Sequence, residues 1–487
     1  MLSRNHSGLT RRQVLRAGTF AAGGLTGAGV LAACSGKAAV GSGTPANAAP
    51  TPAAGAIILN FAPQSATAGT SVKLNQEFVD QAYNAKHTGV YVRVQPNIQG
   101  QASGQIAASI GLAGFMDVFQ DCCDGLVAWE SSGFLTPLDP YLKKDNVDTA
   151  IWPQRHLEVL TFGGQVKGLP SYDGPVTVFY RQDILDTLGL PYPSPDWTWQ
   201  EAAAIWEACS GMTTSGSKQR QRYGVSLFVT AGYEQIDWWL HGWGGALMDS
   251  TRTHCVADSA GGAACMDFIA GLNKNKVAMG RTGITEFAQG TAVFKQAGGW
   301  ELLGVVQAVR DSVKWDILPS PKWPSGRSTF NNIDFYGLNA ATKHPDAAWE
   351  LLKWVGAAPD FQRFQMQLTL IEPSLLSLWD EWQASVLSVA PPLKGKALHW
   401  LKDAEVGGYA WPNRFFKFNA AQADTVINTW FDSIWSGKTS GTLGLKQMSA
   451  QLNALEQAGS ASANAATAVA KAFPTTGPVI AAVQPGL

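Results

Sequence analysis

The first compact apolar run of the chain's interior is Ala56-Ile57-Ile58-Leu59-Asn60-Phe61, closed by a polar turn, as a buried strand would be. Across residues 70–86, Leu74, Phe78, Ala82 and Tyr83 recur at helical spacing, and Thr70 or Ser71 stands where a cap belongs. Val90, Val92 and Val94 then alternate with Tyr91, Arg93 and Gln95, which predicts a second strand. Gln101 to Leu112 reads as a further helix, and Asp117-Val118-Phe119 begins a third strand. Strands alternating with helices imply a largely parallel sheet covered by helices, the α/β class.

The two ends of the chain lack this patterning. Arg11 and Arg12 precede a small, Gly-rich apolar stretch from Ala17 to Ala33 that ends in Leu-Ala-Ala before Cys34. A basic region, a mild hydrophobic region and small residues at the cleavage point are the ingredients of an export signal. The paired arginines resemble a twin-arginine signal, and Leu-Ala-Ala-Cys resembles the lipobox, in which the cysteine is lipidated. Residues 1–33 are therefore expected to be an export signal, and 34–55 a lipidated cysteine with a flexible tether. That tether is rich in Gly, Ser, Thr, Pro and Ala, and such composition buries too little apolar surface to order itself. Residues 459–487 read as a loosely packed, low-complexity tail.

The intervening chain exceeds what one hydrophobic core usually supports, so at least two lobes are expected. Basic and acidic residues number 36 and 37. Loss of Arg4, Arg11, Arg12 and Arg16 with the signal leaves 32 against 37, a formal −5. Basic stripes are absent, which argues against nucleic acid as a partner. Tryptophan is the outlier: all 19 lie between Trp129 and Trp435. They offer large packing area with a polar handle.

Several short segments, in order, carry a specific resemblance. Gly133-Phe134-Leu135-Thr136-Pro137-Leu138-Asp139 follows the third strand, and Gly168-Leu169-Pro170-Ser171-Tyr172-Asp173 leads to Val178-Phe179-Tyr180-Arg181-Gln182-Asp183. Thr198-Trp199-Gln200-Glu201 carries the spacing of a capping box. Phe287-Ala288-Gln289-Gly290-Thr291-Ala292-Val293-Phe294 leads to Gly299-Trp300, followed by Trp315-Asp316-Ile317-Leu318-Pro319 and Lys343-His344-Pro345-Asp346-Ala347-Ala348-Trp349. Together these resemble the bacterial extracellular solute-binding proteins, the family of the maltodextrin-binding and other sugar-binding proteins. Arg181 and Gln182 depart from that pattern, which has asparagine and lysine there.

The resemblance implies a type II periplasmic-binding-protein-like fold, two α/β lobes with a hinge and a cleft between them. The N-terminal lobe is expected to take 56–172 plus 328–375, and the C-terminal lobe 173–327 plus 376–458. Ligands of open α/β lobes sit outside the carboxyl ends of the strands. A sugar there wants flat aromatic platforms and fixed polar groups. Candidates are the turn from Phe61 to Ser65, and the loop after the third strand with Asp121 and Trp129. Asp121 reads equally as a helix cap, and Trp129 as core. Tyr172 and Asp173 lie at the crossover, as hinge or as ligand contacts. Trp239 and Trp243, four apart, share a helix face, whereas the adjacent Trp238 and Trp239 cannot. In the family, the tryptophan matching Trp300 often stacks on ligand; Tyr336 and Trp411 complete the set.

No catalytic, metal or phosphate-binding motif emerges from the seven scattered histidines or the glycine-rich stretches. No cofactor is expected, and the chain is not read as an enzyme. With Cys34 lipidated, five cysteines remain, and Cys255 and Cys265, flanking a Gly-rich interval, form the best intrachain disulfide pair. The expected function is capture of a mono- or oligosaccharide for the permease of an ATP-driven (ABC) importer, by a monomer anchored by lipid outside the cytoplasmic membrane. The alternatives are the same fold with a polyamine, metal complex or peptide, and a polysaccharide-acting enzyme.

Overall fold

The computed structural model describes residues 51–472, apart from 68, 98–115, 123–124, 216–217, 230–233, 310–312, 391–392, 394–397, 399–402, 405–406 and 413–419. The expected signal, Cys34, and the helix over 101–112 lie outside the described residues, as does 473–487. The chain divides into two compact units. One takes residues up to Val229 and Asn275–Asn413; the other takes Thr230–Lys274 and Arg414 onward.

Two α/β lobes, each built on a mixed sheet, lie in the first unit. In one sheet, Ile57–Ala62 pairs in parallel with Val90–Val94 and with Val118–Cys122. Thr329–Leu338 runs antiparallel to Val118–Cys122, and both Leu169–Pro175 and Ala410–Pro412 pair with it. The three predicted strands are those observed, and Val92 and Val94 are buried with Arg93 exposed between them. Leu59, Phe61 and Val118 pack with Trp349, Leu352, Phe361 and Trp382 from helices Pro345–Gly356, Pro359–Thr369 and Trp379–Val389. Burying a side chain of this size is worth roughly 1.5–3 kcal/mol. Strand Ala410–Pro412 and helix Trp379–Val389 thus join this sheet's layers, although both fall within 376–458.

The first helix keeps its expected stripe against the core, with Tyr83 buried and Phe78 stacked on Phe364, and buries polar residues beside it. Thr70–Ala82 buries Ser71, Asn75, Val79 and Asp80 and leaves Leu74 and Phe78 half-buried. The reason is polar satisfaction. Ser65 Oγ donates to Asn75 Oδ1 (2.8 Å), and Gln76 and Asn84 amides reach the carbonyl of Val92. Gly69, not Thr70 or Ser71, occupies the cap position, with no side-chain cap bond.

The other sheet orders Ala278–Met279, Lys218–Ser226, Ala292–Ala297, Thr177–Arg181 and Trp315–Leu318. Gly211–Ser215 forms a hairpin with Lys218–Ser226. Beside it, Trp199–Cys209 starts on the expected capping box. Glu201 N–H donates to Thr198 Oγ1, and Glu201 Oε2 accepts from the Thr198 N–H (2.7 Å). Such a cap contributes about 1 kcal/mol. Arg181, at the position that departs from the resembling pattern, pairs with Asp183 and donates to the carbonyls of Phe287 and Ala288.

The second unit is helical among its described residues: Glu234–Gly242, Ala260–Lys274, Ala420–Trp435 and Gly441–Ala472. Asp267 Oδ1 accepts from Gly441 N–H (2.7 Å), and Asn273 donates to the Trp435 carbonyl (2.8 Å). Gly441–Ala472 continues past Gly459, into residues whose composition suggested a loose tail. Alanine is the strongest helix former, and this stretch is rich in it. The expected Cys255–Cys265 disulfide is not formed. Cys265 is buried within Ala260–Lys274, whereas Cys255 lies against Ser449, its Sγ 3.4 Å from the hydroxyl. Burial pushes both thiols up, which keeps them protonated. Among the described residues, no helix is long and apolar enough to cross a membrane.

Candidate functional site

In the second sheet, Lys218–Ser226 and Ala292–Ala297 are parallel, so both end at one edge. Thr177–Arg181 is antiparallel to Ala292–Ala297 and starts there. In the first sheet, Val118–Cys122 ends at the edge where Thr329–Leu338 begins and Leu169–Pro175 finishes. The chain passes from Pro175 to Thr177 between the sheets, where Val176 N–H donates to the Phe330 carbonyl (2.7 Å). The two carboxyl edges therefore adjoin at this crossover, the location that open α/β sheets reserve for ligands.

Four aromatic rings meet at this point. Tyr172 lies edge-on to Trp300, centroids 6.3 Å apart, and Trp300 lies 5.9 Å from Phe228. Phe228 stacks on Phe330 at 5.5 Å, and the Arg281 guanidinium sits 4.5 Å from the Phe228 centroid. Tyr172, Phe228 and Phe330 are each at most 2% exposed, whereas Trp300 is half-buried. Trp300 is thus the member of the group with ring surface to offer.

Two glycines allow this placement. Gly298 directly follows the strand Ala292–Ala297, and a Cβ there would overlap the Trp300 indole, which folds back over it. A Cβ on Gly299 would overlap both carboxylate oxygens of Glu372, itself 1% exposed. Gly298 has φ −86°, so close approach rather than backbone freedom demands glycine there. Beneath the turn, Lys295 and Glu301 form an ion pair at 3.0 Å. Burial pulls the Lys295 ammonium below its usual range, and Glu301 partly restores it.

A buried amide network borders the aromatic group. Gln120 Oε1 accepts from the Gln64 N–H (3.0 Å) and from Gln365 (2.8 Å), and Gln120 Nε2 donates to Ser171 Oγ (3.1 Å). It connects the turn after the first strand, whose Gln64 and Ser65 are half-buried, to the residue preceding Tyr172.

Of the nine candidates, the structure brings Tyr172 and Trp300 together. Asp173 pairs with Ile333 one residue further along the same strand. Asp121 and Trp129 meet each other: the indole N–H donates to Asp121 Oδ2 (2.6 Å), and both are buried. Trp129 packs between Phe119 and Phe134. Tyr336 is fully buried and donates to Gln365 Oε1 (2.8 Å). One face of Trp411 carries the Arg155 guanidinium at 4.5 Å. Trp239 belongs to the second unit, where it and Trp238 are both buried with centroids 4.7 Å apart; Trp243 lies there too, half-buried, 5.3 Å from Phe268.

Phe228, Arg281, Phe330 and Glu372 escaped the sequence reading. Phe228 was findable, since it stands just past the strand Lys218–Ser226 and obeys the same carboxyl-end rule. Glu372 lies between Leu370, at φ 59°, and Pro373, which bridges to Tyr172, and only the fold brings it to Gly299.

Solved structures share this architecture. An ABC substrate-binding protein from Listeria monocytogenes, in complex with cycloalternan, superposes with a TM-score of 0.67 at 17% identity, covering 82% of this chain and 98% of that one. A cyclic alpha-maltosyl-1,6-maltose binding protein from Arthrobacter globiformis gives 0.66 at 17% identity, over 83% and 100%. A sugar transporter from Rhizobium etli, in an open conformation, gives 0.65 at 21% identity, over 82% and 100%. At these identities the likeness establishes the fold. Residues 68–360, more than half of the chain, match the family described as bacterial extracellular solute-binding protein, and on that match the chain belongs to this family.

Proposed function

We propose that this chain is the solute-receiving component of an ATP-driven importer and that it takes a carbohydrate, presenting Trp300 to the apolar C–H face of the sugar. The half-buried indole of Trp300, held among buried aromatic rings at the carboxyl edges of both sheets, carries this reading. Aromatic faces with a few fixed polar groups are what a sugar site requires. Gln64 and Ser65 supply half-buried polar groups nearby. Gln296 Nε2, which has no acceptor among the described residues, supplies a further donor. The solved relatives named for cycloalternan and for cyclic maltosyl-maltose support the ligand class. Arg11-Arg12, Leu31-Ala32-Ala33-Cys34 and the tether support export and a lipid anchor outside the cytoplasmic membrane, where permease subunits would receive the solute. Closure of the lobes about the crossover would trap it.

A thermal-shift screen tests the ligand class, because a ligand that binds only the native state raises apparent stability, by about 2.7 kcal/mol at a hundred times its Kd. Mono- or oligosaccharides are expected to raise Tm. A shift with polyamines or metal complexes and none with any sugar would refute the carbohydrate reading.

A further inference from the structure

Lys295 sits in the strand Ala292–Ala297 with its side chain wholly buried, a costly place for an ammonium group. Its Nζ meets the Glu301 carboxylate at 3.0 Å and donates to the Thr282 carbonyl at 2.5 Å. Each contact adjoins a residue of the aromatic group. Glu301 directly follows Trp300, and Thr282 directly follows Arg281, whose guanidinium lies over Phe228. Thr282 is also tied to the adjoining strand, since its N–H donates to Ser226 Oγ (3.2 Å) and the two hydroxyls lie 3.0 Å apart. The next residue in the strand completes the pattern: Gln296 Oε1 accepts from the Phe228 N–H at 2.9 Å.

Resting on the reading of Trp300 as a solute-contacting ring, we infer that Lys295 is a positioning residue of the site, fixing Trp300 through Glu301 and Arg281 through Thr282. A buried ion pair contributes little net stability, because desolvation offsets the attraction, and apolar residues of similar size often replace such pairs at no loss. What the pair supplies here is orientation. The Gly298-Gly299 turn has no side chains to hold it, and the indole rests on one of these glycines. The carboxylate one residue beyond the indole is held by the ammonium, and so sets the path of the turn. Precise support of this kind decides whether a contact residue meets its ligand.

The test separates orientation from stability and from the choice of ligand. The protein is labelled with 5-fluorotryptophan, and the Trp300 signal is assigned by its loss in Trp300→Phe. Lys295→Met/Glu301→Leu removes both charges together, so that neither is left buried and alone. This variant is expected to melt within a few degrees of the parent while the ¹⁹F line of Trp300 shifts or broadens and that of Trp129 stays in place. The single variant Lys295→Arg, which keeps the charge opposite an intact Glu301, is expected to leave the line where the parent has it. Binding of maltotriose, where the parent binds it, is expected to weaken at least about tenfold, or about 1.4 kcal/mol. A Trp300 line unchanged in the double variant overturns the inference, as does a moved line with unchanged affinity. A parent that binds no sugar refutes the carbohydrate reading and leaves the ¹⁹F result to decide the role of Lys295.

Discussion

Gly299 and Asp121 show how single atoms decide which residues can meet a solute. The space a Gly299 side chain would fill holds the Glu372 carboxylate, so Gly299→Ala must displace either the turn or a buried acid. Overpacking of this kind costs about 1–3 kcal/mol. Urea unfolding should show that loss, and solute affinity should fall with it as Trp300 moves. Asp121, by contrast, is committed to the Trp129 indole and to the Cys122 N–H (2.8 Å). Asp121→Ala leaves a buried indole donor without its acceptor, so we expect about 1–3 kcal/mol of destabilisation. Affinity in the folded variant should stay within about twofold of the parent, a difference of about 0.4 kcal/mol. A large affinity loss at unchanged stability would instead make Asp121 a ligand contact.

At the scale of elements, helix Pro345–Gly356 is fastened to the segment after Asp139–Lys144 by one carboxylate. Asp145 accepts from the Trp349 indole (2.8 Å) and from Lys353. The Lys353 bond foremost, then that from Trp349, holds the Asp145 carboxyl below the usual carboxylate range. A depressed carboxylate stabilises the fold fully above its unfolded pKa of about 4, and this contribution disappears as pH falls through the lower folded value. Asp145→Asn should therefore lower Tm at pH 7 and flatten the acid side of the stability profile below about pH 4. A profile parallel to that of the parent would contradict this. The elements themselves were largely legible. The alternation at Val90–Val94, the Thr198–Glu201 box and Pro345 at a helix start are local signals, and local energetics decided them. The apolar stripe of helix Thr70–Ala82 was legible, but not the burial of Asn75 and Asp80 beside it, which rests on hydrogen bonds from Ser65, Gln76 and Asn84 that no apolar periodicity signals. Nor was the state of Cys255 and Cys265, since a sequence interval does not say which way two thiols point. The site was half legible. Trp300 announced itself after two glycines, whereas Glu372 and Phe330 come to it only through the pairing of Thr329–Leu338 and the bridge from Pro373 to Tyr172.

The first unit joins two α/β lobes whose carboxyl edges adjoin where the chain crosses at Pro175–Thr177, the kind of place where open α/β sheets take their ligands. A solute seated there contacts segments of both lobes, so binding should favour one arrangement of them and raise the stability of the native state. Small-angle scattering with the sugar that raises Tm should report a smaller radius of gyration than without it. We propose that this sugar stacks on Trp300. Isothermal titration of that sugar into the parent and into Trp300→Ala, with unfolding curves confirming that both are folded, tests the claim most directly. Stacking on Trp300 predicts a Kd roughly tenfold weaker or more in the variant, a difference of about 1.4 kcal/mol. Equal affinities in two folded proteins would remove Trp300 from the site and contradict it.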